Sequence, residues 1–166
     1  MGSIYGRARA RGDNTDRICS GLLVRMPFRL FPRQFELIDF FNSCLEFETN
    51  GLVEKSRDMG ATWAAISYAV WLFLFKPGSS VGFGSRKAQL VDRIGDMDSI
   101  FEKMRHCITS LPPLFRPHDY DASYMKLFNH DNGASITGES GDEIGRGGRK
   151  GRVILLMKRR TSSTRK

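Results

Sequence analysis

The chain has 166 residues, 26 Lys or Arg against 18 Asp or Glu for a formal charge of +8, and 40% hydrophobic content; that suffices for one domain with its own core. Its longest apolar run, residues 64–75, is short of the ~20 residues that cross a bilayer, and no charged-then-apolar leader opens it. A membrane protein and a secreted one are therefore not expected, and the cytoplasm is.

The three cysteines, Cys19, Cys44 and Cys107, are odd in number and far apart, which suits a reducing compartment and argues against a disulfide framework or zinc site. His106, His118 and His130 have no metal-ligand spacing. The positive charge is concentrated at one end. Residues 146–166 hold nine Lys or Arg and no acid, whereas the first 145 residues hold 17 basic and 18 acidic side chains.

Residues 1–20 are polar, rich in Gly and Arg and without periodicity, which predicts a flexible arm. Residues 22–31 are apolar with interspersed arginines, and Pro32 then opens a helix. Over residues 34–48, Leu37, Ile38, Phe41, Cys44 and Leu45 recur at helical spacing and predict an amphipathic helix.

Next comes Lys55-Ser56-Arg57-Asp58-Met59-Gly60-Ala61-Thr62-Trp63. A standard phosphate-binding loop reads Gly-x4-Gly-Lys-[Ser/Thr]: backbone N–H groups wrap the phosphates, a lysine neutralises charge and a hydroxyl binds Mg²⁺. Here Gly60 and Thr62 stand where the second glycine and the hydroxyl belong. Ala61 replaces the lysine and Lys55 the first glycine, so the cation would come from Lys55 or Arg57. Residues 51–54 read as a strand before the loop and residues 61–76 as an apolar helix after it, whose N-terminus favours an anion. The competing reading is a strand-to-helix turn with charged residues at the surface.

Residues 81–84 are a short strand candidate. Residues 85–111 read as one long helical stretch with Leu90, Ile94, Met97, Phe101, Met104 and Ile108 on one face. This alternation predicts an α/β fold with a parallel sheet and crossover helices, and the Ser85-Arg86-Lys87 turn falls where ligands bind in such sheets. Residues 124–129 and 134–138 predict a hairpin turned at His130-Asp131-Asn132-Gly133.

Taken together, residues 30–150 resemble the ATPase domain of the large terminase subunit of tailed bacteriophages. Lys55–Trp63 resembles that family's deviant Walker A, with the cation early in the loop. Leu30-Phe31-Pro32-Arg33-Gln34 resembles its adenine-reading motif; an amide suits that role because it donates and accepts at once. Val81-Gly82-Phe83-Gly84-Ser85-Arg86 resembles the strand and turn after the Walker A helix. Asn132-Gly133-Ala134-Ser135-Ile136-Thr137-Gly138, then Gly145-Arg146-Gly147-Gly148-Arg149, resembles the approach to Walker B.

The resemblance implies a P-loop NTPase-like sheet, incomplete in this chain, from a motor that drives double-stranded DNA into procapsids. ATP and Mg²⁺ would be its cofactors; a small terminase subunit and the portal of the procapsid its partners, in the bacterial cytoplasm. Lys55, Arg57, Gly60 and Thr62 would contact phosphates, with Thr62 also on Mg²⁺. Ser56, Met59 and Ala61 would add backbone donors, and Gln34 would meet the adenine.

The chain departs from the family at its end. An apolar strand closing in Asp-Glu is expected; residues 153–157 are apolar, but Lys158-Arg159-Arg160 follows. Cations there neither hold a metal nor serve as a base, so efficient hydrolysis is not expected. Regrouping the codons from the third base of Val153 forces a Glu codon across Met157-Lys158 and permits Tyr-Phe-Ile-Asp-Glu-Ala-Ala. Residues 151–166 are accordingly expected to be a frameshift product, with residues 21–150 a partial ATPase domain. Two alternatives are a helicase-like P-loop motor and a non-catalytic α/β protein whose basic tail binds nucleic acid through phosphates.

Overall fold

A computed structural model describes residues 3–5, 25–27, 29–55, 59–141 and 152–157. Helix α1 (Pro32–Glu46) begins with proline at its first position, where a missing N–H costs nothing. The predicted stripe is its inner face: Ile38, Phe41 and Leu45 are half-buried against the core. Helix α2 (Ala61–Phe75) is apolar on every side, and such a helix is stable only when surrounded. Ala64, Ala65, Ile66, Ala69 and Phe73 are fully buried, while Trp71 and Phe75 keep about half of their surface exposed.

Strand β3 (Ser80–Ser85) follows α2. It is the hub of a five-stranded sheet with β4 (Tyr120–Ser123), β5 (Lys126–Asn129), β6 (Ser135–Ser140) and β7 (Arg152–Met157), in the order β4-β5-β6-β3-β7. β6 and β7 run parallel to β3 on either side, β5 pairs antiparallel with β6, and β4 antiparallel with β5. Thus the fold is α/β, but the sheet is mixed: a parallel trio extended by an antiparallel meander. In register, Ser85 lies between Ser140 and Met157, so the three parallel strands end level.

The predicted hairpin is β5–β6, and its turn caps a helix. Asn129 and Asn132 both donate to the Phe73 carbonyl, at 3.1 and 3.0 Å, and Asn132 also to Leu74 at 3.1 Å. They satisfy orphan carbonyls at the end of α2. Strand β1 (Ser3–Tyr5), inside the predicted arm, pairs antiparallel with β2 (Arg25–Pro27); the remainder of that arm lies outside the described residues.

Two expected elements differ. Residues 51–54 form no strand. Gly51 backs so closely onto Phe40 and Cys44 that a side chain there would collide with both. That packing holds the segment against α1 and away from the sheet, with Leu52 93% exposed.

The stretch 85–111 is not one helix either. Helix α3 (Ala88–Val91) stops at Asp92, and α4 (Ile100–Ser110) restarts after Gly95 adopts φ +79°. Asp92 is what the break serves. Its buried carboxylate takes Arg105 in a two-pronged pair, 2.9 and 2.7 Å, and accepts the Met125 N–H at 2.7 Å. One carboxylate thereby ties α3, α4 and the β4–β5 turn. Phe101, Met104 and Ile108 are buried as expected; Ile94 and Met97, in the break, are exposed. Among the described residues no helix is long and apolar enough to cross a membrane.

Candidate nucleotide site

A helix of 15 residues is ~22 Å long and a six-residue strand ~20 Å, so α2 and β3, joined by a short turn and packed together, run antiparallel and match in length. The N-terminus of α2 accordingly lies toward the C-terminal edge of β3, β6 and β7, the end at which open α/β sheets bind ligands.

That terminus is built for a negative group. Gly60, the residue preceding α2, has φ +67° and ψ 8°, a left-handed conformation that glycine adopts without strain. The first intrahelical bond is Ala64 N–H to Gly60 carbonyl, 3.0 Å, and among the described residues no side chain caps the helix. The N–H groups of its first turn and the positive end of its dipole face outward together.

Gln34 reaches this turn from α1. Its side chain is 7% exposed. Oε1 accepts the Phe31 N–H at 3.0 Å, capping α1, and Nε2 donates to the Met59 carbonyl at 3.0 Å. A Cβ on Gly60 would lie 2.5 Å from that Nε2, so the glycine is needed for space as well as for φ. An amide offers two N–H donors and two acceptor lone pairs on its oxygen; these bonds use one of each and leave one of each for a further partner. Gln34 is therefore neither a solvent-facing surface residue nor a free reader. It is a strut between α1 and the loop.

Of the other expected site residues, Met59 is exposed with its carbonyl taken by Gln34, and Ala61 and Thr62 are half-buried in the first turn of α2. Lys55 is exposed, on a segment that is not the predicted strand. Ser56 and Arg57 lie outside the described residues. Among the described residues the turn fits a phosphate: first-turn N–H groups without a side-chain cap and a left-handed glycine. For Mg²⁺ the first turn of α2 offers the Thr62 hydroxyl, and among the described residues no three His, Cys, Asp or Glu side chains cluster to hold a metal. β7 forms where the strand before Walker B was expected, parallel to β3, but Met157 ends it.

Sequence reasoning missed two arrangements here. The Asp92–Arg105 pair gave no signal because its partners come from an unpredicted helix break. Lys103, on α4, places its ammonium 5.8 Å from the Trp63 ring centre in the first turn of α2; no local pattern joins positions so far apart. No protein-family model matches the chain, and no curated protein matches it.

Proposed function

We propose that this chain is a nucleotide-binding portion of a terminase-like ATPase, the motor class that packages double-stranded DNA into procapsids, with a P-loop-type turn at Met59–Thr62. The observation that carries this reading is the Gln34–Met59 hydrogen bond. Two segments singled out in the sequence, the glutamine on the strength of the loop downstream of it, meet at the N-terminus of α2.

ATP would sit with its phosphates on the N–H groups of the α2 first turn, Lys55 and Arg57 supplying positive charge and Thr62 a hydroxyl for Mg²⁺. Ser56, Met59 and Ala61 would line the loop with backbone groups. Gln34 has the spare donor and acceptor to meet a base edge. In this reading the partners are double-stranded DNA, a small terminase subunit and a portal-bearing procapsid, in the cytoplasm of a bacterial host. Hydrolysis is not part of the proposal for this chain, because Lys158-Arg159-Arg160 stands where Asp-Glu would be required. Resequencing the coding DNA from about codon 145 tests that point: a shifted frame encoding Asp-Glu assigns the basic tail to a frameshift, whereas an intact frame makes the tail genuine.

The direct test is calorimetric titration of the full chain with Mg-ATP. Saturable binding is expected, about tenfold weaker for each of Lys55→Ala and Arg57→Ala if each removes one charged hydrogen bond. Equal affinity in wild type and the double variant rejects the loop assignment. Deleting residues 158–166, beyond β7, separates the alternative: salt-sensitive DNA binding that disappears with those residues, in a chain that does not bind ATP, favours a tail-driven nucleic-acid binder.

A further inference from the structure

We infer that Asn50-Gly51 is a site of spontaneous covalent modification, at which the Asn50 side chain loses ammonia through a cyclic imide and the main chain is rebuilt as isoaspartate.

The dipeptide Asn-Gly occurs at 50–51 and again at 132–133, and the two copies are held very differently. Asn132 is locked. Its Nδ2 donates to the Phe73 and Leu74 carbonyls at 3.0 and 3.1 Å, and its Oδ1 accepts the Ala134 N–H at 2.9 Å. The Gly133 N–H is itself donated to the Asn129 carbonyl at 2.9 Å. Asn50 has no such restraint. It is exposed and lies outside any helix or strand, and among the described residues neither its side chain nor the Gly51 N–H makes a hydrogen bond.

The reaction needs the two groups that this segment leaves unengaged. The Gly51 nitrogen, after giving its proton to hydroxide, attacks Asn50 Cγ. A new N–C bond closes a succinimide ring as the Cγ–Nδ2 bond breaks, and the departing nitrogen takes a proton from water and leaves as ammonia. Water then opens the ring at either carbonyl. Opening at Cγ gives aspartate; opening at the main-chain carbonyl leaves the chain running through Cγ, as isoaspartate. Glycine is the most permissive successor, because no Cβ shields the attacking nitrogen. At 132–133 the same attack first requires the amide to leave three partners and the Gly133 N–H a fourth, which is a local opening of the turn. That opening should slow the reaction about a hundredfold.

The position gives the modification a consequence. A Cβ on Gly51 would lie 2.3 Å from the Phe40 ring and 2.7 Å from Cys44 Sγ. Isoaspartate adds one methylene to the main chain immediately before that contact and a carboxylate close to Glu48. A fit without room for a methyl does not survive the longer chain, so residues 51–54 come away from α1 and uncover Cys44.

The test follows the full-length wild type in mildly alkaline buffer, native and in guanidinium, with peptide mapping by mass spectrometry that separates Asn, Asp and isoaspartate at both sites. In the native protein Asn50 is expected to convert, mainly to isoaspartate, within a few-fold of its rate in denaturant. Asn132 is expected to convert about a hundredfold more slowly native than denatured. Protection of Asn50 as strong as that of Asn132 overturns the site, and aspartate formed without isoaspartate overturns the imide step. The isolated isoaspartyl protein should be alkylated several-fold faster at Cys44 than its parent, with Cys107 unchanged; an equal Cys44 rate overturns the release from α1. Asn50→Gln, whose longer side chain closes the ring less readily, should keep the parent's Cys44 rate after the same incubation. A rise there would assign the change to another lesion and likewise overturn the coupling.

Discussion

Replacing Gly60 by alanine probes two separable effects at the α2 N-terminus. The backbone there has φ +67°, where an L side chain costs about 1–2 kcal/mol. The new Cβ would also lie 2.5 Å from Gln34 Nε2. Since the amide is buried and bonded at both ends, moving it breaks the bond to Met59, and shifting the whole side chain strains the Phe31 cap as well; each is worth about 1 kcal/mol. Gly60→Ala should therefore cost about 2–4 kcal/mol, a large share of the ~5–15 kcal/mol typical of a domain. In a Gln34→Ala background the clash is gone and only the φ cost of about 1–2 kcal/mol remains. The double-mutant cycle should show about 1–2 kcal/mol of coupling, read from urea midpoints followed by far-UV circular dichroism. Additive losses within about 0.3 kcal/mol would mean that Gln34 and Gly60 do not touch, and the strut would have to be abandoned.

Three other perturbations bear on the frame around the site. Asp92→Asn should destabilise by about 3 kcal/mol, the low end for breaking a buried pair from one side because Glu102 still engages Arg105; a change under about 1 kcal/mol in the same urea assay would class the pair as a surface one. Asn132→Ala removes two donated bonds and the one its Oδ1 accepts from Ala134 N–H, so a loss of about 2–3 kcal/mol is expected, with wild-type stability refuting the cap. Burial pushes the Cys107 thiol from 9.0 up to about 11. At pH 8 its thiolate fraction is then about a hundredfold below that of a thiol titrating at 9.0, and alkylation should be slowed accordingly. Because the folded pKa is the raised one, this thiol's contribution to stability is intact below pH 9.0 and declines as pH rises toward about 11. Mass spectrometry after iodoacetamide treatment should find Cys107 protected in native protein and labelled in urea; rapid native labelling contradicts its burial.

Local pattern announced most of the elements themselves. The helical period of Leu37, Ile38, Phe41 and Leu45 gave α1, the apolar run gave α2, and the turn residues around Asn132-Gly133 gave the hairpin. What local pattern could not carry was decided at a distance. The Leu-Val at 52–53 has strand character, yet a strand needs a neighbour, and Gly51 commits the segment to α1 instead. Residues 85–111 keep a helical period through Ile94 and Met97, but the buried Asp92–Arg105 pair bends the chain and leaves both apolar side chains in water. In the site, the motif glycine and glutamine were legible because each sits in a recognisable local context. Their mutual contact was not, nor was Lys103, since neither residue's neighbours in sequence say what lies across the gap between helices.

α2 has no free end. Gln34, fixed to the start of α1, holds the turn that leads into it, while Asn129 and Asn132, fixed in the β5–β6 turn, grip the carbonyls at its finish. The helix behaves as a rod pinned in two bearings, with the sheet alongside as the bed. An axial thrust at its N-terminal end has no slack to absorb it and must be taken up at the hairpin, ~22 Å away. Between the pins the rod is apolar around its circumference, and among the described residues its flank is tied by the Tyr68 hydroxyl to Asn42 and by the Ser79 hydroxyl to the Leu72 carbonyl. Its mechanical fate is decided at the two pins, by one glutamine and two asparagines.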